Sequence, residues 1–257
     1  MLLSLDKNFV FISAGKTGTS SITAALLPHL TTDLSTAPFS IGLVMTTHPE
    51  IEARFSAHTG PPSRASLLEG LVMLRAAGAP FEIFVTNEKT GYSLRTSDLN
   101  DLRHVPTRLA QRLLGDELWE QSFKFAFVRN PWDWALANYA FKNRAGPVER
   151  MDAEKVLWVR DHVSLRQLPV PYRTQHAFLC DEDGEVRLDY VGHFENLARD
   201  FAAIADRIEL EGRLDHLNEN DGQARTDFRR LYTEEAYHLV GELWATDIEA
   251  FGYADSR

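Results

Sequence analysis

A single cysteine, Cys180, stands in the 257 residues of this chain. That excludes an intrachain disulfide and any zinc cluster built on thiolates, and it points to a reducing compartment. Long apolar runs are missing too. No stretch approaches the roughly 18 residues that a membrane-spanning helix needs. The opening residues, MLLSLDKNFVF, carry no basic leader and reach Asp6 and Lys7 too early for a signal peptide. A soluble, cytoplasmic protein is the expectation. Positive charge is also in short supply. Lys and Arg number 27 against 37 Asp and Glu, a net charge of −10. A generic binder of nucleic acid or anionic membrane carries the opposite sign, so any anion site must be local. No internal repeat or low-complexity tract is visible.

What is present suits one large α/β domain or two small ones, with 44% hydrophobic residues to build a core. The stretch FVFISAGKTGTSSI, from Phe9 to Ile22, reads as a strand running into a phosphate loop. Phe9 to Ile12 is the aromatic, β-branched run of a buried strand. Small and hydroxylated residues follow, then Ile22, Leu26 and Leu27 at helical spacing, with Ser20 or Ser21 as the expected cap. Such a turn aims backbone N–H groups at one point. The helix macrodipole adds partial positive charge there, and Lys16 adds a full one. Gly15-Lys16-Thr17 matches the end of the nucleoside-triphosphate loop G-x-x-x-x-G-K-[ST]. Its first glycine would fall at Val10, whose branched side chain opposes a tight wrap around a β-phosphate. The bland alternative is an ordinary strand–turn–helix with a solvated lysine.

Farther along, residues 28–40 read as loop and HTGPPS at 58–63 as a breaker. A helix is expected over 64–78, with Leu67, Leu71 and Leu74 on one face and Gly78 closing it. FEIFV at 81–85 reads as a strand. Residues 105–115 read as a helix opened by proline and closed by glycine. FKFAFV at 123–128 is a second strong strand, leading into a helix with Pro131 in its first turn. CDEDGEVRLDYVGHF reads as a solvated hairpin turning at Asp183-Gly184. Leu197, Phe201, Ile204 and Ile208 form one core-facing stripe. Leu239, Leu243, Trp244, Ile248 and Phe251 form another. Alternating helices and strands imply a parallel sheet with helices on both faces, and ligands of such sheets sit beyond the strand carboxyl ends. Lys16 and Arg129 both fall just past such an end. A guanidinium there can fork two phosphate oxygens; alternatively Arg129 pairs with Asp133 on a helix surface.

Three blocks give the chain a resemblance to sulfotransferases that use 3′-phosphoadenosine-5′-phosphosulfate (PAPS), of the carbohydrate-sulfotransferase type. GKTGTSSI resembles the family's 5′-phosphosulfate loop. FKFAFVRNPWDWALANY resembles its 3′-phosphate block. LDYVGHFENLARDFAAI and YTEEAYHLVGELWATDIEAFGY resemble its C-terminal part. The blocks span residues 9–253, with a poorly matched region at about 31–100. The resemblance implies a single domain over 1–257 with a P-loop-NTPase-like central parallel sheet flanked by helices on both faces. The variable 31–100 region would be an acceptor-side insertion. PAPS would be the donor co-substrate, no metal is implied, and the acceptor would be a carbohydrate or another small molecule.

The roles it implies are these. Lys16 would bind the bridging and sulfuryl oxygens. Thr17, Gly18, Thr19, Ser20 and Ser21 would cradle the 5′-phosphate, and Arg129 would bind the 3′-phosphate. The family usually has a serine at the position of Ala137 and an arginine at that of Trp134. These departures weaken the expected grip on the 3′-phosphate, for which Arg225 is a conceivable substitute. Two candidates stand for the general base. His104 precedes the helix before FKFAFVRNP, about where some carbohydrate sulfotransferases keep a catalytic histidine, and imidazole suits the role. Glu88 and Lys89, in VTNEKTGY, resemble the E-K-[ST]-x-x-Y segment of heparan sulfate sulfotransferases and would face the sulfuryl group or the acceptor. His48 is a weaker third candidate. Glu195 and Asn196 would hold the sheet edge and a loop. A basic groove from Arg95, Arg103, Arg108 and Arg112 would be needed for a polyanionic acceptor. Two rivals remain: a degenerate sulfotransferase-like protein that binds a ligand or partner, and a P-loop kinase, which would need a strand-end carboxylate for Mg²⁺.

Overall fold

The computed structural model describes residues 1–30, 39–45, 81–96, 104–144, 148–163, 173–210, 214 and 228–253. The described strands are β1 (Leu2–Ser4), β2 (Phe9–Ile12), β3 (Phe39–Met45), β4 (Phe81–Asn87), β5 (Ser93–Thr96), β6 (Phe123–Val128) and β7 (Tyr190–His193). The described helices are α1 (Thr19–Leu26), α2 (Thr107–Leu114), α3 (Asp116–Gln121), α4 (Pro131–Asn143), α5 (Ala153–His162), α6 (Gln175–Leu179), α7 (Leu197–Arg207), α8 (Glu234–Leu243) and α9 (Ala245–Ala250).

The fold is mixed α/β. Its central sheet runs β1-β2-β6-β7, with β2, β6 and β7 parallel and β1 antiparallel at the edge. Side chains alternate across a strand, so each strand feeds two faces. Phe9, Phe11, Phe125 and Phe127 line one face, where Ile22 and Leu26 of α1 and Phe201, Ile204 and Ala205 of α7 cover them. Val10, Ile12, Ala126 and Val128 line the other, under Leu109, Ala110, Leu113 and Leu114 of α2 and Phe178 and Leu179 of α6. Helices thus flank both faces, as the alternation implied. The aromatic face holds a stack, with the Phe11 and Phe125 centroids 5.2 Å apart. Each fully buried phenylalanine contributes on the order of 1.5–3 kcal/mol. A third apolar cluster is wholly helical. It joins Trp132, Trp134 and Leu136 of α4, Val156 and Val159 of α5, and Tyr237, Val240 and Trp244 at α8.

Several expectations need correction. FEIFV does form β4, but in a separate antiparallel sheet, β3-β4-β5, outside the parallel one. Its partner β3 falls partly in a stretch read as loop; Ser40 and Gly42 obscure the strand pattern of FSIGLVM. The hairpin at Asp183-Gly184 is only a turn. Asp181 Oδ1 accepts the N–H groups of Asp183 and Glu185, and Gly184 takes φ +86°. The segment after it becomes β7, which pairs in parallel with β6 because Asp189 grips Lys124 with both its main chain and its carboxylate. Helix α1 starts at Thr19, so Ser20 and Ser21 lie in its first turn and neither is the cap, which is Gly18. Leu27 leaves the buried stripe for a 3₁₀ turn and is 51% exposed. The helix expected over 64–78, together with His48, Arg103 and Arg225, lies outside the described residues.

The late stripes are core, as expected. Phe201, Ile204, Ile208, Trp244 and Phe251 are buried. Helix α9 also reaches across to α6. The Asp247 carboxylate accepts the Gln175 N–H at 2.9 Å and the His176 N–H at 2.7 Å, with no exposure to solvent. Burial pushes its pKa up from 3.8 to about 6, against those hydrogen bonds and the nearby His176, which lower it.

Two predictions follow from this packing. A Cβ on Gly192 would lie 2.5–2.9 Å from ring carbons of the buried Phe127. Gly192→Ala should therefore cost about 1–3 kcal/mol in urea unfolding, and Phe127→Leu in the same chain should recover part of the loss. An alanine variant as stable as the parent would refute the close packing. For Asp247, the folded state holds its proton up to about pH 6 while the unfolded chain releases it near 3.8. The folded state binds more protons in that window, so this carboxyl's contribution to stability falls as pH rises through it, by on the order of 3 kcal/mol in all. Asp247→Asn should flatten that part of the stability–pH curve; an unchanged slope would count against the buried titration.

Candidate functional site

Six residues, 13–18, join β2 to α1 beyond the carboxyl end of the central sheet. Their carbonyl groups are tied down one after another by side-chain donors. His104 Nδ1 donates to the Ser13 carbonyl at 2.7 Å. Thr17 Oγ1 donates to Ala14 at 2.9 Å. Trp134 Nε1 donates to Gly15 at 2.9 Å, and Arg129 Nη1 to Lys16 at 3.1 Å. Three of these four consecutive carbonyls are anchored to the body of the protein and the Ala14 carbonyl within the loop itself, so the peptide units between them have their orientation set. Lys16 takes φ +66° and Gly18 φ +80°. A turn of this left-handed kind curls successive N–H groups into an anion-binding nest.

Helix α1 then opens with no side-chain cap. The N–H groups of Thr19, Ser20 and Ser21 have no intrahelical acceptor, whereas Ile22 N–H reaches the Gly18 carbonyl at 3.2 Å. The macrodipole concentrates partial positive charge at that end. Gly18 is required twice over. Its φ disfavours a side chain, and a Cβ would sit 2.9 Å from Leu197 and 3.3 Å from Phe194. Lys16 has no such freedom, and its left-handed backbone costs about 1–2 kcal/mol, offset by the clamp on its carbonyl. Its Nζ stands 3.1 Å from the centroid of Phe141, an aromatic ring 62% exposed beside the loop.

Arg129 lies at the carboxyl end of β6, where the sequence put it, but it is buried rather than on a helix surface. Its Nε and Nη2 both meet Asp133 Oδ2 at 2.7 Å, and its guanidinium carbon lies 3.9 Å over the Phe194 ring. One N–H on each terminal nitrogen lies outside these bonds. Its main chain is held from both sides by Gln175, whose Oε1 accepts the Arg129 N–H and whose Nε2 donates to its carbonyl, each at 2.8 Å. Asn130 caps α4 by accepting the Trp132 N–H, and its own N–H goes to Glu195 Oε1 at 2.6 Å. Glu195 therefore supports this turn, the loop part of its expected role.

The fold brings Lys16, Thr17, Gly18, Thr19, Ser20, Ser21, His104 and Arg129 into one place. The hydrogen bond to Ser13 fixes the His104 tautomer: Nδ1 carries the proton, so the lone pair of the neutral ring is on Nε2. Glu88 and Lys89 sit elsewhere. They occupy the tight turn after β4, where Asn87 Oδ1 accepts the N–H groups of Lys89 and Thr90 and Asn87 Nδ2 donates to the Leu113 carbonyl. That is the carboxyl end of α2, whereas His104 precedes its amino end, about 12 Å away for eight residues. Lys89 pairs with Glu117 at 2.8 Å. Arg108 donates to the Cys180 sulfur, and Arg112 pairs with Glu182, so the Arg112 charge is already met by an acid. Trp134 and Gln175 were missed as site residues. Trp134 stood out only as a departure from an arginine; Gln175 gave no sequence signal.

A model of the sulfotransferase family matches residues 71–254, more than half of the chain. The match takes in His104, Arg129 and Glu195 and begins after the loop. An uncharacterized protein of the archaeon Archaeoglobus fulgidus is 25% identical over 114 residues, which cover 43% of this chain and 88% of that protein. No solved structure matches. Among the described residues no helix is long and apolar enough to cross a membrane. The family match over more than half of its residues places it: the chain belongs to the sulfotransferase family.

Proposed function

We propose that this protein transfers a sulfuryl group from PAPS to a hydroxyl or amine of a carbohydrate or other small-molecule acceptor. The observation that carries the reading is the tethered loop, with four consecutive carbonyls turned to side-chain donors and His104 anchored three residues before Lys16. The residues suit a 5′-phosphosulfate. The N–H groups at the start of α1 would hold its phosphate oxygens, and Lys16 would neutralise charge on the bridging oxygen as the sulfur–oxygen bond breaks. The spare N–H groups of Arg129 would take the 3′-phosphate. The new bond forms between sulfur and the acceptor oxygen or nitrogen, and His104 Nε2 would receive the proton. 3′,5′-Adenosine bisphosphate would leave. Positioning and charge neutralisation carry most of the catalysis in such in-line transfers.

The geometry favours His104 over Glu88 and Lys89 as the base, because His104 is hydrogen-bonded to the loop whereas the turn that carries Glu88 and Lys89 is tied to the carboxyl end of α2. A binding-only reading draws support from the same place. Ala137 stands where the family usually has a second 3′-phosphate ligand, a serine, Trp134 stands where it usually has an arginine, and Arg129 already spends most of its donors on Asp133 and Lys16.

Calorimetric titration with 3′,5′-adenosine bisphosphate comes first. Micromolar binding is expected; its absence would sink the donor assignment, and tight binding without transfer across a broad acceptor panel would favour the binding-only reading. Lys16→Ala should lower turnover at least a hundredfold while the melting temperature barely moves, and a fully active variant would remove Lys16 from the chemistry. At saturating donor, His104→Ala should lose roughly 10²–10⁴-fold in turnover, whereas Glu88→Gln should stay near the parent. The reverse pattern would move the base to the β4 turn.

A further inference from the structure

Both residues of the turn between β6 and α4 are gripped by side chains from outside those elements. Gln175 brackets the Arg129 main chain, and Glu195 accepts the Asn130 N–H. Each gripping residue is itself held. The Gln175 N–H goes to Asp247 Oδ2 at 2.9 Å, and the second oxygen of Glu195 accepts the Tyr253 hydroxyl at 3.1 Å. Asp247 and Tyr253 stand at the two ends of one short piece of chain. It is closed on itself by Phe251 N–H to the Asp247 carbonyl and Tyr253 N–H to the Ile248 carbonyl. It is pinned to β7 by His193 Nε2 at 3.0 Å from the Phe251 carbonyl. Asp247, Gln175 and Arg129 are buried, so water does not compete for the bonds of that strut, while the Glu195–Tyr253 strut is partly buried.

We propose that Asp247 and Tyr253 are positioning residues: through Gln175 and Glu195 they set the Arg129–Asn130 turn and so aim the Arg129 guanidinium at the donor's 3′-phosphate. The inference rests on the donor reading given above. The Arg129 side chain has its Asp133 and Phe194 contacts to keep it in plane, but its reach depends on where the backbone starts. Each of the two struts fixes one residue of that start. Burial and the Glu195 carboxylate hold the Tyr253 phenol well above its ordinary pKa, so it stays a hydrogen-bond donor throughout the working range.

The test compares 3′,5′-adenosine bisphosphate with adenosine 5′-monophosphate, which lacks the 3′-phosphate. Calorimetric affinities and melting temperatures are measured for the full chain and for Tyr253→Phe, Asp247→Asn, Glu195→Ala and Glu195→Gln. The parent should prefer the 3′-phosphorylated nucleotide. Tyr253→Phe and Asp247→Asn should each cut that preference about tenfold, any loss of monophosphate affinity through the Lys16 clamp being smaller than the loss for the bisphosphate. Glu195→Gln, which keeps an acceptor for Asn130, should retain more of the preference than Glu195→Ala. Tyr253→Phe removes one hydroxyl and carries the test alone if the Asp247 variant fails to fold. A preference that survives in the folded variants, or equal losses for both nucleotides, would overturn the positioning role and leave the donor reading standing. A parent without any preference would overturn the donor reading and this inference with it.

Discussion

The buried ion pair between Arg129 and Asp133 is the constraint on which the site's shape depends. One guanidinium meets a carboxylate four residues on, lies flat on Phe194 and donates to the carbonyl of Lys16. Those three contacts join β6, α4, the segment after β7 and the loop after β2. Taking both charges out of water is expensive, and removing either partner alone leaves an uncompensated charge at a cost of about 3–5 kcal/mol. The pair therefore acts more as a geometric requirement than as a source of stability. It also explains how a lysine can sit in the left-handed region: its carbonyl is held by a donor that cannot move without stranding Asp133.

This dual use changes what an arginine at a strand end means. The sequence presented two alternatives, a ligand for phosphate or a partner for Asp133. The fold makes the second certain and leaves two N–H groups for the first. Truncating Arg129 would therefore mix ligand loss with collapse of the loop. Lys16, whose Nζ rests on the exposed Phe141 ring rather than on a buried partner, is the cleaner probe of the chemistry.

Much of this was legible in the residues, for identifiable reasons. FVFI and FKFAFV announce themselves as strands because a strand buried on both faces is apolar throughout. The proline and glycine around α2, and Pro131 at the head of α4, mark boundaries that local backbone preference sets. Sequence reasoning failed where pairing is non-local. FEIFV has the same local signal as the central strands, and nothing within it tells that its neighbours are β3 and β5. The Asp183-Gly184 turn is real, but whether its arms pair with each other is decided by Asp189 and Lys124. In the candidate site, Lys16, His104 and Arg129 were suggested by their own chemistry, while Gln175, an amide acting on main chain forty-six residues away, was invisible.

Trp134 shows how a departure from the resembled pattern can be a gained support. Where relatives of the resembling family usually carry an arginine, this chain has an indole whose ring is buried against Trp244 and whose N–H closes on Gly15. An arginine there could offer charge to a phosphate, but it would have to keep its head solvated or paired. The indole needs only one acceptor and gains from burial at the same time. The exchange gives up a mobile charge for a fixed donor. It makes the loop's shape depend on His104, Thr17 and Trp134, which are tied in by hydrogen bonds, and on one charged group, Arg129. In a protein whose net charge is −10, a preformed cradle of N–H groups is a more dependable means of holding an anion than surface cations that acidic neighbours can neutralise, as Glu117 does to Lys89 and Glu182 to Arg112.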